Sequence, residues 1–159
     1  MKAVSVNEIK KELAHLDSKS LQDLCMRVAK YKLENKELLT YLLFEAHNES
    51  AYISMVKSEI DQLFEELPKG NVYYVKKSLR KILRITNKQI KYSGQATTEV
   101  DLRLYFCHKI ISAGIPLHQS RVLTNLFEKQ VKKIETVIGK LPEDLRYDYL
   151  HDYESLKAR

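Results

Sequence analysis

Apolar residues recur every three or four positions along nearly the whole chain, and this spacing constrains the fold more than any other feature. One face of an α-helix has this period, whereas a half-buried strand alternates at every second residue. No segment shows strand alternation, and four Gly and three Pro in 159 residues are few enough to favour long helices. The sequence therefore predicts an all-α protein of about eight helices that forms a single domain over residues 1–159.

Capping residues and helix breakers predict where the helices begin and end. Ser5 and Glu8 form a capping box for the first helix, and Ser18 or Ser20 is expected to cap the second. Further boundary signals are Asn35 and Ser50 as starts, Pro68 and Gly70 as a stop, Asn71 and Gly94 around the fifth helix, Thr97 or Thr98 as a start, Gly114, Pro116 and Gly139 as stops, and Pro142 as a start. The short links predict antiparallel neighbours, in a helical bundle or a short α-solenoid.

A weak internal repeat suggests a duplicated three-helix unit. A shift of 61 residues aligns Lys30–Tyr31 with Lys91–Tyr92 and His47 with His108. The second to fourth helices then correspond to the fifth to seventh, and the middle helix of each set is apolar nearly all round. We expect both middle helices to be buried on all sides. Duplication and coincidence between helices of similar composition both remain open.

Cysteine usage and hydropathy point to the cytoplasm. Cys25 and Cys107 lie in apolar helical segments, so we expect both to be buried, reduced thiols. A catalytic thiol at Cys107 is not supported, because the adjacent His108 projects about 100° away on a helix. No apolar run is long enough to span a bilayer, and the N-terminus lacks the apolar segment of a secretory signal.

Motifs for catalysis, metals or cofactors are not found. No phosphate-binding glycine loop, nucleophile elbow or CxxC motif occurs in the sequence. Glu12 with His15 and Asp148 with His151 have the spacing of di-metal ligands in helical bundles. Both pairs lie beside the apolar stripes of their helices, whereas such ligands must point into a core. We therefore predict no metal, no cofactor and no catalytic residue.

Positive charge is concentrated in one part of the chain. Residues 71–140 contain fourteen Lys and Arg but four Asp and Glu. On a helical wheel the cations of the fifth helix fall within an arc of about 140°, and Tyr73 lies near the middle of that arc. The predicted binding residues are Tyr73, Lys76, Lys77, Arg80, Lys81, Arg84, Lys88 and Lys91. The seventh helix adds Lys129, Lys132, Lys133 and Lys140, and the sequence does not decide whether the two sets merge.

An unmixed basic face indicates an anionic neighbour, because like charges four residues apart on a helix repel each other. That neighbour could be internal, namely the acidic residues Glu59, Asp61, Glu65 and Glu66 of the preceding helix. It could also be a partner. The leading hypothesis is a non-enzymatic binding or scaffold module that docks an anionic partner, first a nucleic-acid backbone and second an acidic protein. The alternative is an enzyme with a site between helices.

The stretch LCMRVAKYKLENKELLTYLLFEAHNE, residues 24–49, resembles segments of a family of small uncharacterised all-α bacterial proteins. The resemblance extends over much of the chain and implies an all-α fold. It implies no activity and no site residues.

Overall fold

The computed structural model describes residues 1–68 and 70–157, and within them it contains 81% helix and no strand. The prediction of an all-α protein with about eight helices is confirmed. The α-helices are α1 (Val6–Leu13), α2 (Ser18–Tyr31), α3 (Leu33–Thr40), α4 (Glu49–Glu65), α5 (Val72–Ser93), α6 (Ala96–Ser112), α7 (Arg121–Ile138) and α8 (Glu143–Lys157). A π-helical turn, Tyr41–Glu45, continues α3, and a 3-10 turn, Leu117–Gln119, precedes α7.

Three predicted helix ends are confirmed by their hydrogen bonds. Ser5 and Glu8 form the reciprocal capping box of α1. The side chain of Asn71 caps α5 by accepting the Tyr73 amide at 2.9 Å. Gly94 ends α5 in the left-handed conformation, with φ of 67°, which glycine adopts without steric cost.

Three predicted helix starts are wrong. Asn35 lies inside α3, which begins at Leu33, and its side chain donates to the Val28 carbonyl at 2.9 Å. Asp17, not Ser18 or Ser20, caps α2, and its carboxylate accepts the Ser20 amide at 2.7 Å. Thr97 and Thr98 both lie inside α6, and the Thr98 hydroxyl donates to the Glu49 carboxylate at 2.5 Å. At α2 the Asp17 carboxylate makes the cap, since an ionised acceptor is stronger than a hydroxyl. At α6 the N-cap residue is Gln95, and it makes no side-chain cap hydrogen bond.

The chain divides into two compact units, Met1–Phe44 and Glu45–Arg159. The first unit contains α1, α2 and α3, and the principal packing within it is between α2 and α3. The second contains α4 to α8. The single domain over residues 1–159 stays a prediction, as does the internal repeat.

Helix α6 forms the centre of the second unit. It packs against α4, α5, α7 and α8, and eight of its seventeen residues are buried. Phe106 is fully buried and meets Phe64 of α4 edge-to-face, with ring centroids 6.0 Å apart. The prediction that this middle helix is buried is confirmed.

The corresponding prediction for the other middle helix is wrong. In the segment that follows α3, Tyr41 is buried, but Leu42, Leu43 and Phe44 are exposed by 54%, 69% and 64%. Cys25 of α2 is likewise exposed, whereas Cys107 of α6 is buried as predicted. The exposure of the segment after α3 and the exposure of Cys25 have the same physical reason. An apolar residue is buried only where another element covers it. Within the first unit α3 has one principal neighbour.

None of the helices in the described part of the chain has both the length and the apolar character needed to cross a membrane.

Candidate anion-binding surface

The apolar side of α5 fixes the orientation of its basic side. Leu79, Ile82, Thr86 and Ile90 are all buried and follow one another at helical spacing. Thr86 satisfies its buried hydroxyl by donating to the Ile82 carbonyl at 3.0 Å. The opposite side of this 22-residue helix is therefore directed away from the core of the second unit.

The predicted cations are found on that opposite side. Lys77, Arg80, Lys81, Arg84 and Lys91 are exposed, and Lys76 and Lys88 are half-buried. The Lys88 ammonium lies 6.0 Å from the centroid of the Tyr92 ring, at the limit of a cation–π contact.

Among the residues that the structure describes, six of these cations have no carboxylate within 4.0 Å, namely Lys76, Lys77, Arg80, Lys81, Arg84 and Lys91. The acidic residues of α4 make no ion pair with these six. Asp61 pairs with Lys109 of α6 at 2.8 Å and accepts the Tyr105 hydroxyl at 2.7 Å. The Lys109 hydrogen bond lowers the pKa of Asp61.

Four of the cations surround one shallow depression of about 460 Å³, lined by Lys77, Ser78, Arg80, Lys81 and Arg84. Lys77 and Lys81, like Arg80 and Arg84, are one helical turn apart, so they repel each other by a few tenths of a kcal/mol per pair. A ligand with closely spaced negative charges would relieve this repulsion.

An exposed pair of aromatic rings lies at the start of the same helix. Tyr73 and Tyr74 are 65% and 53% exposed. Their rings meet edge-to-face, with centroids 5.4 Å apart and an interplanar angle of 81°. Tyr73 was predicted as part of the site. Tyr74 was not, because at 100° per residue it projects to the border of the arc that the cations occupy.

A buried arginine, which the sequence analysis missed, links three helices beside the basic side of α5. Arg103 of α6 is 5% exposed. Its guanidinium donates to Asn87 of α5 at 2.9 Å and to Gln130 of α7 at 2.7 Å, and pairs with Glu99 at 2.6 Å. Charged residues are normally assigned to the surface, so the sequence gives no signal for this role.

The same arginine influences Lys133, one of the cations of α7. Desolvation, followed by the positive charge of Arg103, lowers the pKa of Lys133 on α7. Because Arg103 bonds α5 and α7 at once, the side of α7 that bears Gln130 and Lys133 faces the same region as Asn87 of α5. Lys133 thus lies close to the buried Arg103, and the other charges that act on it are those of Glu99 and Lys129.

A second depression in the second unit, of about 660 Å³, has a mixed lining. Phe127 and Val131 contribute to its apolar part, and Glu135 and Lys157 on its rim pair with each other at 3.3 Å. This groove offers a place for a ligand but does not specify a reaction, so the enzyme hypothesis stays an alternative.

The two spaced pairs considered as metal ligands lie on the protein surface. Glu12, His15, Asp148 and His151 are all exposed. Within residues 1–68 and 70–157, no three or more His, Cys, Asp or Glu side chains are grouped so that they could hold a metal ion.

No family model matches the chain, and comparison with curated proteins and with solved structures found no significant match.

Proposed function

We propose that the protein is a non-enzymatic binding module that uses α5 to dock a nucleic acid through its phosphate backbone. The observation that supports this most directly is the depression formed by Lys77, Arg80, Lys81 and Arg84. No carboxylate among the described residues pairs with these four groups. Regularly spaced phosphates match regularly spaced cations, and they release condensed counterions when they bind.

The tyrosine pair favours a nucleic acid over an acidic protein. An acidic protein would satisfy the charge, but it would not need exposed aromatic rings beside it. Tyr73 and Tyr74 offer ring faces to bases at one end of the cationic row, and base–aromatic stacking contributes about 1–3 kcal/mol per base. Bases are free to stack in single strands, so single-stranded RNA or DNA is the preferred form of the ligand.

The contribution of charge is tested with an Arg80→Gln, Arg84→Gln double variant. We expect its affinity for a fluorescent 20-nucleotide single strand, measured by anisotropy, to fall by about 10- to 100-fold near 0.1 M salt. The slope of log affinity against log salt should become shallower by about 1.4, since each lost phosphate contact contributes about 0.7 for single strands. A Lys10→Gln, Lys11→Gln variant is the control, because it removes the same charge from two exposed residues of α1. Equal losses in both variants would contradict a specific site on α5.

The contribution of stacking is tested with Tyr73→Ala. We expect it to weaken single-strand binding by about 10-fold and to change duplex binding less. Tyr147→Ala is the control, because Tyr147 is 75% exposed on α8, away from these cations in sequence. If poly-glutamate binds as tightly as the oligonucleotide and Tyr73→Ala has no effect, the partner is an acidic protein and the nucleic-acid proposal is wrong.

A further inference from the structure

The cations of α5 are unevenly distributed along the helix. Five of the seven lie between Lys76 and Arg84, over about 12 Å at 1.5 Å per residue. Lys88 and Lys91 are the other two, and they are spread over about the next 10 Å. The positive charge is therefore concentrated in the half of the helix that also carries Tyr73.

The depression on α5 brings four of these cations around a space that is large enough for one nucleotide-sized group. Its volume is about 460 Å³, and it is lined by Lys77, Ser78, Arg80, Lys81 and Arg84. Among the described residues, none of the four cations has a carboxylate within 4.0 Å. An internal phosphodiester brings a single negative charge to such a space, which leaves most of this positive charge without a counter-charge.

Ser78 adds a hydroxyl donor to the same depression. Its side chain is half-buried, and its hydroxyl makes no hydrogen bond to any residue that the structure describes. By contrast, the hydroxyls of Ser54 and Ser112 donate to carbonyls of their own helices at 2.9 and 3.2 Å. The Ser78 hydroxyl is therefore left to donate to a ligand, and serine commonly donates to phosphate oxygens in complexes with nucleic acids.

We infer that α5 binds the phosphorylated end of a single strand and holds the terminal phosphate in this depression, a preference that presupposes the nucleic-acid docking proposed for this helix. A phosphate monoester carries about −1.5 to −2 charge at pH 7 and has three strong acceptor oxygens. It therefore offsets more of the concentrated charge than a diester does. Its oxygens accept from Ser78 and from the surrounding ammonium and guanidinium groups, and these hydrogen bonds are strengthened by charge.

The tyrosine pair lies where the terminal base is expected. Tyr73 precedes Lys77 by about one helical turn, and Tyr74 precedes Ser78 by the same distance. In a nucleotide one sugar holds both the base and the phosphate, so a phosphate in the depression brings its own base within reach of these rings. The strand then continues toward Lys88, where more widely spaced cations match a backbone with one charge per phosphate.

The test measures how well unlabelled strands displace the fluorescent single strand from the full-length protein. One competitor has ten nucleotides and a terminal phosphate, at the 5′ end or at the 3′ end. The other has eleven nucleotides and a hydroxyl at each end, so both contain the same number of phosphate groups. We expect phosphorylation at one of the two ends to improve competition by at least about fivefold near 0.1 M salt, which corresponds to one further phosphate contact.

Two lysines of α5 provide a matched pair of variants. Lys81 and Lys91 are both exposed, but Lys81 lines the depression and Lys91 does not. Lys81→Gln should reduce the preference for the phosphorylated strand to about twofold or less. Lys91→Gln should weaken both competitors to the same extent and leave the preference intact, because it removes a contact to the backbone beyond the terminal nucleotide.

A serine variant tests the hydroxyl separately from the charge. Ser78→Ala should also reduce the preference to about twofold or less, because it removes a hydrogen bond to a charged group. It should leave the slope of log affinity against log salt unchanged, since no charge is lost. Ser58→Ala is the control, because Ser58 is exposed on α4. A preference that survives both Ser78→Ala and Lys81→Gln would place the terminal phosphate outside the depression and overturn the inference.

Three other outcomes would also overturn end recognition. Equal competition by the phosphorylated and hydroxyl strands would exclude it and leave the docking of single strands by α5 intact. A nucleoside monophosphate that competes as well as the phosphorylated strand would show that the ligand is a free nucleotide and not the end of a strand. If none of the strands binds, the proposed function is wrong as well.

Discussion

The two units of this protein use similar helical sequences in opposite ways. Of the twenty buried apolar residues in the described part of the chain, nineteen lie in the second unit, and Tyr41 is the one in the first. The second unit surrounds α6 with four helices, whereas the first exposes most of its apolar residues. Helical periodicity is therefore necessary for a core but not sufficient, since a core also requires enough elements to cover each apolar face.

The largest expected difference between the units is in thiol reactivity, because each contains one cysteine. Cys25 is exposed. Cys107 is fully buried, and burial raises its pKa to about 12. In dilute native protein we expect a disulfide reagent to modify Cys25 at least about a thousandfold faster than Cys107, since Cys107 reacts only when the second unit opens. Two equally fast thiols would contradict the distinction between the units.

A matched pair of phenylalanines tests the same contrast through stability. Phe106→Ala should lower the free energy of unfolding by about 3–5 kcal/mol, because it leaves a cavity in a close-packed core. Phe44→Ala makes the same chemical change where the ring is 64% exposed, and should cost about 0.5 kcal/mol or less. Urea unfolding followed by circular dichroism provides both values, and similar losses at the two positions would show that the first unit has a core after all.

The buried arginine provides a third comparison. Arg103→Met should destabilise the protein by about 3 kcal/mol, because it removes the charged partner of the buried Gln130 and of the partly buried Glu99 and Asn87. Arg84→Met removes the same group from the exposed side of α5 and should be nearly neutral for folding. A neutral Arg103→Met would mean that methionine packing replaces the whole network.

Removing one helix cap from each unit tests the comparison through changes in stability of about 1 kcal/mol. Asn71→Ala and Asp17→Ala each remove a side chain that caps a helix N-terminus. We expect Asn71→Ala to lower the midpoint of the cooperative transition, because α5 is packed on the second unit. Asp17→Ala should instead speed hydrogen exchange within α2 and leave that midpoint nearly unchanged. The opposite pattern would place α2, rather than α5, in the cooperative core.

The smallest expected effect concerns acid stability in the second unit. The Lys109 hydrogen bond lowers the pKa of Asp61 in the folded state. Its contribution is therefore present above the unfolded pKa near 4 and is lost as the pH falls through the lower folded value. Asp61 is partly exposed, so Asp61→Asn should cost less than about 1 kcal/mol at pH 7, and the difference from wild type should shrink toward pH 3. A difference independent of pH would exclude this ion pair as its cause.

Much of the helical pattern was predictable, because it depends on local signals. Asn71 and Gly94 identify the two ends of α5, and the segregation of its cations follows from periodicity alone. The exposure of Leu42 and Cys25 was not predictable, since spacing shows which side of a helix is apolar but not whether another element covers it. Arg103 was missed for a related reason, because only the packed structure brings Asn87 and Gln130 to its guanidinium.

The order in which the helices pack has a consequence for how the chain acquires its structure. In the second unit each helix packs against the next one in sequence, α4 on α5, α5 on α6, α6 on α7 and α7 on α8. Contacts between such near neighbours require little loop closure, and proteins dominated by them fold in microseconds to milliseconds. Synthesis by the ribosome is far slower, at about 5–20 residues per second. Each helix of the second unit therefore has time to pack against the preceding helix before the next one emerges from the ribosome. The basic side of α5 is oriented once α6 has been synthesised and has packed against α5.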